Sequence, residues 1–325
     1  MSVFVEPETG LVFFELSHEW GQGVPTLPGF EDVKIYRSTT HAKNGVMAHR
    51  IRTIMHTGTH MNAPQHMAQG AEGIGQIAQE KAFGSGIVIS IPKTDWDPIS
   101  AADLDAAAGA VEPGEIVVIV TAWHRKYSDS IEYFGRSPGL TKDAAQWLVK
   151  REVKLVAVDT PQVDHPLATS FGNHCNGPQM KRLPADYEAA TGGSAADDFP
   201  DWNPAHKTLL EAGIPTVENV GDEISDLLGK RALFHAHPWN WHEGDACPIR
   251  FIAVTDPSEA YQIEPGHGGD TVSKEEESHG EQFENVRVEI LQSHRPLGAR
   301  HAGMAVSTGH QCVRPTAARK SRHLY

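Results

Sequence analysis

The segment HTGTHMNAPQHM, residues 56 to 67, sets His56, His60 and His66 beside Asn62 in a run of Gly, Thr and Pro. On a helix, His56 and His60 would share a face while Asn62 would fall on another. Gly58, Asn62 and Pro64 oppose a helix here, and in an extended turn all three side chains can converge. Imidazole nitrogen and an amide or carboxylate oxygen suit Zn, Mn or Fe, and three protein ligands leave positions open for water and substrate. Thr59 stands where it can orient a ligand or a bound water. The protein has 19 histidines, so any single one is read as an ordinary surface or core residue. The spacing of this set is what points to a metal site.

Positioning such a site requires rigid elements around it. GIVISI from 86, EIVVIVTAW from 115, VKLVAVDT from 153 and PIRFIAVT from 248 are short, rich in Val and Ile, and bounded by Gly, Pro or charge, which predicts buried strands. TKDAAQWLVKRE predicts a helix, with Thr141 as N-cap, Asp143 in the first turn, apolar Ala144, Trp147 and Leu148, and Lys150 and Arg151 at the end. HKTLLEAG from His206 predicts a second helix stopping at Gly213. Residues 190 to 204 lack periodicity and are rich in Gly, Ala, Asp and Pro, so a loop or insertion is expected there. The polar, glycine-rich stretch from Glu264 marks the start of a C-terminal extension.

At 325 residues with 39% apolar content, the chain can bury a sizeable core. Its formal charge of -14 argues against a nucleic-acid-binding body. No apolar run approaches the length of a membrane helix, and MSVFVEPETG has neither a basic nor a hydrophobic leader region, so a cytoplasmic location is expected. Cys175, Cys247 and Cys312 are too widely spaced for a zinc ribbon and odd in number, so buried or incidental thiols are expected. The end is basic: Arg295, Arg300, Arg314, Arg319, Lys320 and Arg322 occur after Gln292 without Asp or Glu, and read as a solvated arm.

The pattern H-x-G-T-H-x-D-x-P-x-H characterises the cyclase-like metal-dependent hydrolases, which include bacterial kynurenine formamidase and isatin hydrolase. Residues 56 to 66 resemble it at every fixed position except Asn62. FELSHEWGQGVPTLPG from Phe14 is similar to the family's opening, VAVDTPQVDHP from Val156 to the segment after a central strand, HKTLLEAGIPTVENV from His206 to its His-to-Glu stretch, and GDACPIRFIAV from Gly244 to its last core strand. The resemblance implies an α/β chain with the cyclase-like swivelling β/β/α fold: one main domain over residues 12 to 255, and a C-terminal extension with a basic tail over 256 to 325.

The resemblance also implies roles. His56, His60 and position 62 match the ligands of the first metal, and His66 matches a general acid/base or a helper at a second metal. His206 and Glu218 match the second cluster, and are assigned here to catalysis; read alone, each could be structural. Asn62 departs from the aspartate that bridges two cations, because it offers one neutral oxygen and an amide that does not ligate. One divalent ion per subunit is therefore expected, Zn or Mn with Fe as a third choice, in a more positive centre that favours an anionic substrate or product. The expected activity is hydrolysis of a small amide, imide or lactone by attack of metal-bound water, with His66 as general acid/base. A lyase or isomerase on the same site and a non-catalytic small-molecule-binding protein are the other readings; a homodimer or larger homo-oligomer, with no nucleic-acid or membrane partner, is the expected assembly. His235, His237 and His242, with Trp239 and Trp241, are read as a packed aromatic loop or else as a pocket wall that stacks a planar substrate. Asp164 and His165 are noted without a role.

Overall fold

Runs of β-branched residues bury best where both sheet faces are covered, and that is where this chain places them. The computed structural model describes residues 3–261 apart from 108, 110 and 172–177. Cys175, Cys312, the break from Glu264 and the basic tail lie outside the described residues. The chain divides into units Met1–Asp270 and Thr271–Tyr325, and the fold below is that of the first. Among the described residues no helix is long and apolar enough to cross a membrane.

The strands are β1 Val3–Val5, β2 Val12–Glu15, β3 Lys34–Thr39, β4 Ala48–Arg52, β5 His60–Asn62, β6 Phe83–Ser90, β7 Pro98–Ile99, β8 Ile116–Val120, β9 Gly139–Leu140, β10 Leu155–Val158, β11 Thr216–Glu218, β12 Arg231–His235, β13 Ala246–Pro248 and β14 Ile252–Thr255. Ten of them form one sheet in the order β1-β2-β14-β12-β6-β8-β10-β11-β5-β13. Its centre, β6 through β11, is parallel, whereas β5 and the outer strands run antiparallel. The four strands expected from sequence correspond to β6, β8, β10 and β14, and every residue of β8 and β10 is buried. β3 and β4 form a separate, largely exposed ribbon.

Two apolar layers flank the central strands. One gathers Leu16, Met61, Val88, Val118, Val217, Phe234 and Phe251. The other packs Ile89, Val117, Ile119 and Val156 against the Lys142–Lys150 and Pro204–Glu211 helices. The first of these helices is capped as expected, Thr141 Oγ1 accepting from Ala144 N–H, and it buries Ala144, Trp147 and Leu148. The second begins at Pro204, before His206, because proline at the first turn gives up no needed N–H. Gly213 lies past its end at φ 76°. One expectation is corrected: Pro178–Thr191, a helix that includes Pro184, runs into the stretch expected as a loop from 190, and that stretch also contains the helix Ala195–Asp198, whose Ser194 cap accepts from Asp197 N–H.

Candidate active site

The carboxyl ends of parallel strands are the usual place for a site in α/β sheets, since the loops leaving them are free to carry function. Here Glu218 ends β11, and Asp164 follows β10. The antiparallel neighbour β5 completes the arrangement, because its register sets His60 opposite Glu218 and Asn62 opposite Thr216. Alternation along β5 sends His60 and Asn62 to one face and Met61 to the core. On the other side of β5, β13 sets Ala246 beside Asn62, and Ala63 N–H donates to Asp245 O at 2.9 Å. The same register thus delivers Asp245 to the edge of the site.

The loop before β5 is held by backbone. Gly58 has φ 64°, and its carbonyl accepts from His60 Nδ1 at 2.9 Å and from Asn219 Nδ2 at 3.0 Å. Tyr133 donates its hydroxyl to Asn219 Oδ1 at 2.7 Å, fixing the amide. Thr59, expected to orient a ligand, instead donates to Asn219 O and accepts from His18 N–H, so it ties two loops together.

His56, His60, His66, His206 and Glu218 converge on one cleft open to solvent, with Leu27, Phe30 and Phe134 among its apolar walls. Asn62 lies just behind it: Oδ1 accepts from His56 Nδ1 at 2.8 Å, and Nδ2 donates to Thr216 Oγ1 at 3.1 Å. His206 Nδ1 donates to Asp164 Oδ2 at 2.6 Å, while its Nε2 faces Glu218 Oε1 at 3.0 Å. His56 Nε2 lies 2.9 Å from Asp245 Oδ2, and His66 Nδ1 lies 4.0 Å from the same oxygen. Sequence reasoning left Asp164 without a role and missed Asp245. The signal for Asp164 was its place after a strand; Asp245 had none beyond its strand register. The histidines around 235 to 242 do not line this cleft: His235 packs on Phe83 at 4.7 Å, and Trp239 is exposed.

The electrostatics follow from burial and pairing. Burial alone would lower the His206 pKa, but the Glu218 charge and the hydrogen bonds to Asp164 and Glu218 outweigh it and raise the ring to about 10. Burial pushes Glu218 up, yet the His206 charge and the hydrogen bond from His206 hold it well below the carboxylate range. His66 is lowered to about 3 by burial and by the neighbouring His56 and His206, which leaves it neutral. The hydrogen bond from His56 pulls Asp245 down to about 2.

The donor set fits a cation. His60 Nδ1 is committed to Gly58 O, so the neutral ring presents a lone pair at Nε2; that atom is buried without a hydrogen-bond partner and lies 3.2 Å from Glu218 Oε2. Among the described residues, His56, His66 and Asp245 also bring one ligand atom each to within 4.8 Å of one another. Buried nitrogen lone pairs facing carboxylate oxygens are the environment a divalent ion satisfies.

An α/β sheet with a histidine- and carboxylate-lined cleft at its parallel strand ends defines the class. The family described as "Putative cyclase" matches residues 14–165. An isatin hydrolase of Roseibium aggregatum is 25% identical over 216 residues, 61% of this chain and 71% of that one. A kynurenine formamidase of Bacillus cytotoxicus is 26% identical over 245 residues, 74% of this chain and 96% of that one. An isatin hydrolase crystal structure bound to the product analogue thioisatinate superposes with a TM-score of 0.61 at 19% identity, over 76% of this chain and 93% of that chain. Residues 14–165 thus resemble the cyclase-like family, and the chain has the swivelling β/β/α fold of the solved cyclase-family structures.

Proposed function

We propose that the protein is a metal-dependent hydrolase that opens or cleaves a small amide, imide or lactone. One observation carries this reading: His56, His60, His66, His206 and Glu218 line a single cleft in which a buried His60 nitrogen faces a carboxylate without a hydrogen bond. The relatives' names support it, since one is a hydrolase of isatin, a ring amide, and the other a formamidase. A further structural neighbour is described as a potential metal-dependent hydrolase with cyclase activity. His56 and His60 would hold the ion with imidazole nitrogen, and Asn62 orients His56 through Oδ1. A divalent ion there polarises a carbonyl and acidifies water. His66, lining the cleft and partly open to it, would take the proton of the attacking water and return it to the leaving nitrogen or oxygen. His206, charged and clamped by Asp164, fixes Glu218 beside the reacting groups. Phe30, Phe134 and Leu27 wall the cleft for a planar substrate.

The test is a panel of cyclic amides, imides, lactones and N-formyl aryl amines, offered to chelator-stripped protein and to protein reloaded with Zn, Mn or Fe. Ring opening or deformylation of at least one class, only after reloading, is expected. Turnover indifferent to metal, or no turnover anywhere on the panel, would sink the reading.

A further inference from the structure

Asn62 cannot supply negative charge, and its side chain is already spent inside the protein. Its oxygen accepts from His56 Nδ1 at 2.8 Å, and its amide donates to Thr216 Oγ1 at 3.1 Å. A carboxylate nevertheless reaches the same histidine from the other side. Asp245 enters from the strand paired with β5, one position beyond the Asn62–Ala246 pair, and sets Oδ2 2.9 Å from His56 Nε2. His56, His66 and Asp245 bring one ligand atom each to within 4.8 Å of one another, so an ion set between His56 Nε2 and Asp245 Oδ2 would lie against both. Donors each about 2.1 Å from a shared ion stand about 3 Å apart when roughly at right angles to one another, so the spacing suits such sharing.

We infer that Asp245 is the anionic ligand of the bound cation, together with His56, and takes over from the neighbouring strand the charge that position 62 lacks. The inference rests on the metal-dependent reading for its ion but not for its substrate. Asp245 is 48% exposed on its side chain, and its backbone link to Ala63 is independent of the carboxylate, so replacing it leaves the fold intact.

The test is calorimetric titration of the full chain with Mn and with Zn, without substrate, for the unmodified protein, Asp245→Asn, Asn62→Asp and the double variant, with metal-free thermal melts as the control for folding. Asp245→Asn should weaken binding on the order of 100-fold, since even groups that only orient a ligand are worth roughly 10- to 100-fold. In the double variant the carboxylate at position 62 should restore most of that loss. Unchanged affinity in Asp245→Asn, absence of rescue in the double variant, or no cation binding by the unmodified protein overturns the inference. A panel without turnover would overturn the hydrolase reading alone, because these titrations involve no substrate.

Discussion

His66 and Asp164 act on the same cleft by different physics, and their substitutions separate the two. His66 is neutral and touches the open side of the cleft, so His66→Gln should keep the fold and the metal while turnover falls roughly 100- to 10,000-fold, the usual worth of a positioned acid/base. Metal analysis beside single-turnover rates checks this, and metal lost along with activity would place His66 among the ligands. Asp164 is fully buried and accepts from Ala205 N–H, His206 N–H and His206 Nδ1. Asp164→Asn leaves the His206 charge with Glu218 alone, and should cost about 3 kcal/mol or more of unfolding free energy, measured in urea. At this scale the local motif was legible because its spacing does chemistry by itself, whereas His206 and Glu218 were assigned through the resemblance; His56, His60, His66, His206 and Glu218 all line one cleft. Asp245 was not legible, because it lies 189 positions from His56 and only strand pairing reveals the contact.

Short elements carry the site and were the hardest to read. β6, β8, β10 and the Lys142–Lys150 helix are visible in sequence because each repeats a strand or helix pattern over several residues. β5 spans only His60–Asn62 and is buried throughout, so no alternation of apolar and polar residues announces it. Pro178–Thr191 was hidden by Pro184, which removes one helical hydrogen bond yet is tolerated here. What starts β5 correctly is Gly58. Its positive φ disfavours any side chain, and a Cβ there would come within 2.9 Å of the Trp20 ring. Gly58→Ala should therefore destabilise the fold by about 1–3 kcal/mol and lower metal affinity as well, because His60 Nδ1 is anchored to the Gly58 carbonyl. A urea midpoint equal to that of the unmodified protein would remove this argument.

For the molecule as a whole, acid stability should depend on a histidine outside the cleft. His165 is buried on Phe199 at 3.9 Å; its Nε2 donates to Trp96 O, and its Nδ1 accepts from Leu167 N–H. Burial holds its pKa at about 3, although the Trp96 bond acts the other way. The unfolded chain takes this proton below about 6.5, so between those values the unfolded state binds more protons. Stability from this group is complete above about 6.5 and is lost as pH falls, by an amount on the order of a few kcal/mol. Denaturant curves across that range should show a steeper acid decline for the unmodified protein than for His165→Gln, and parallel declines would exclude the effect. The strand order has a kinetic consequence. Asn62 meets Thr216 across 154 positions and Thr59 meets Asn219 across 160, so closing the cleft requires long loops to be ordered against their entropy. Such contacts form after the folding barrier when the nucleus is built from nearer pairs such as β8 with β10. Thr216→Val, which strips the Asn62 amide of its partner, should therefore speed unfolding in stopped-flow experiments and leave the refolding rate almost unchanged. On this expectation the cleft closes after the central strands have paired, and its distant contacts act on the rate of unfolding rather than of folding.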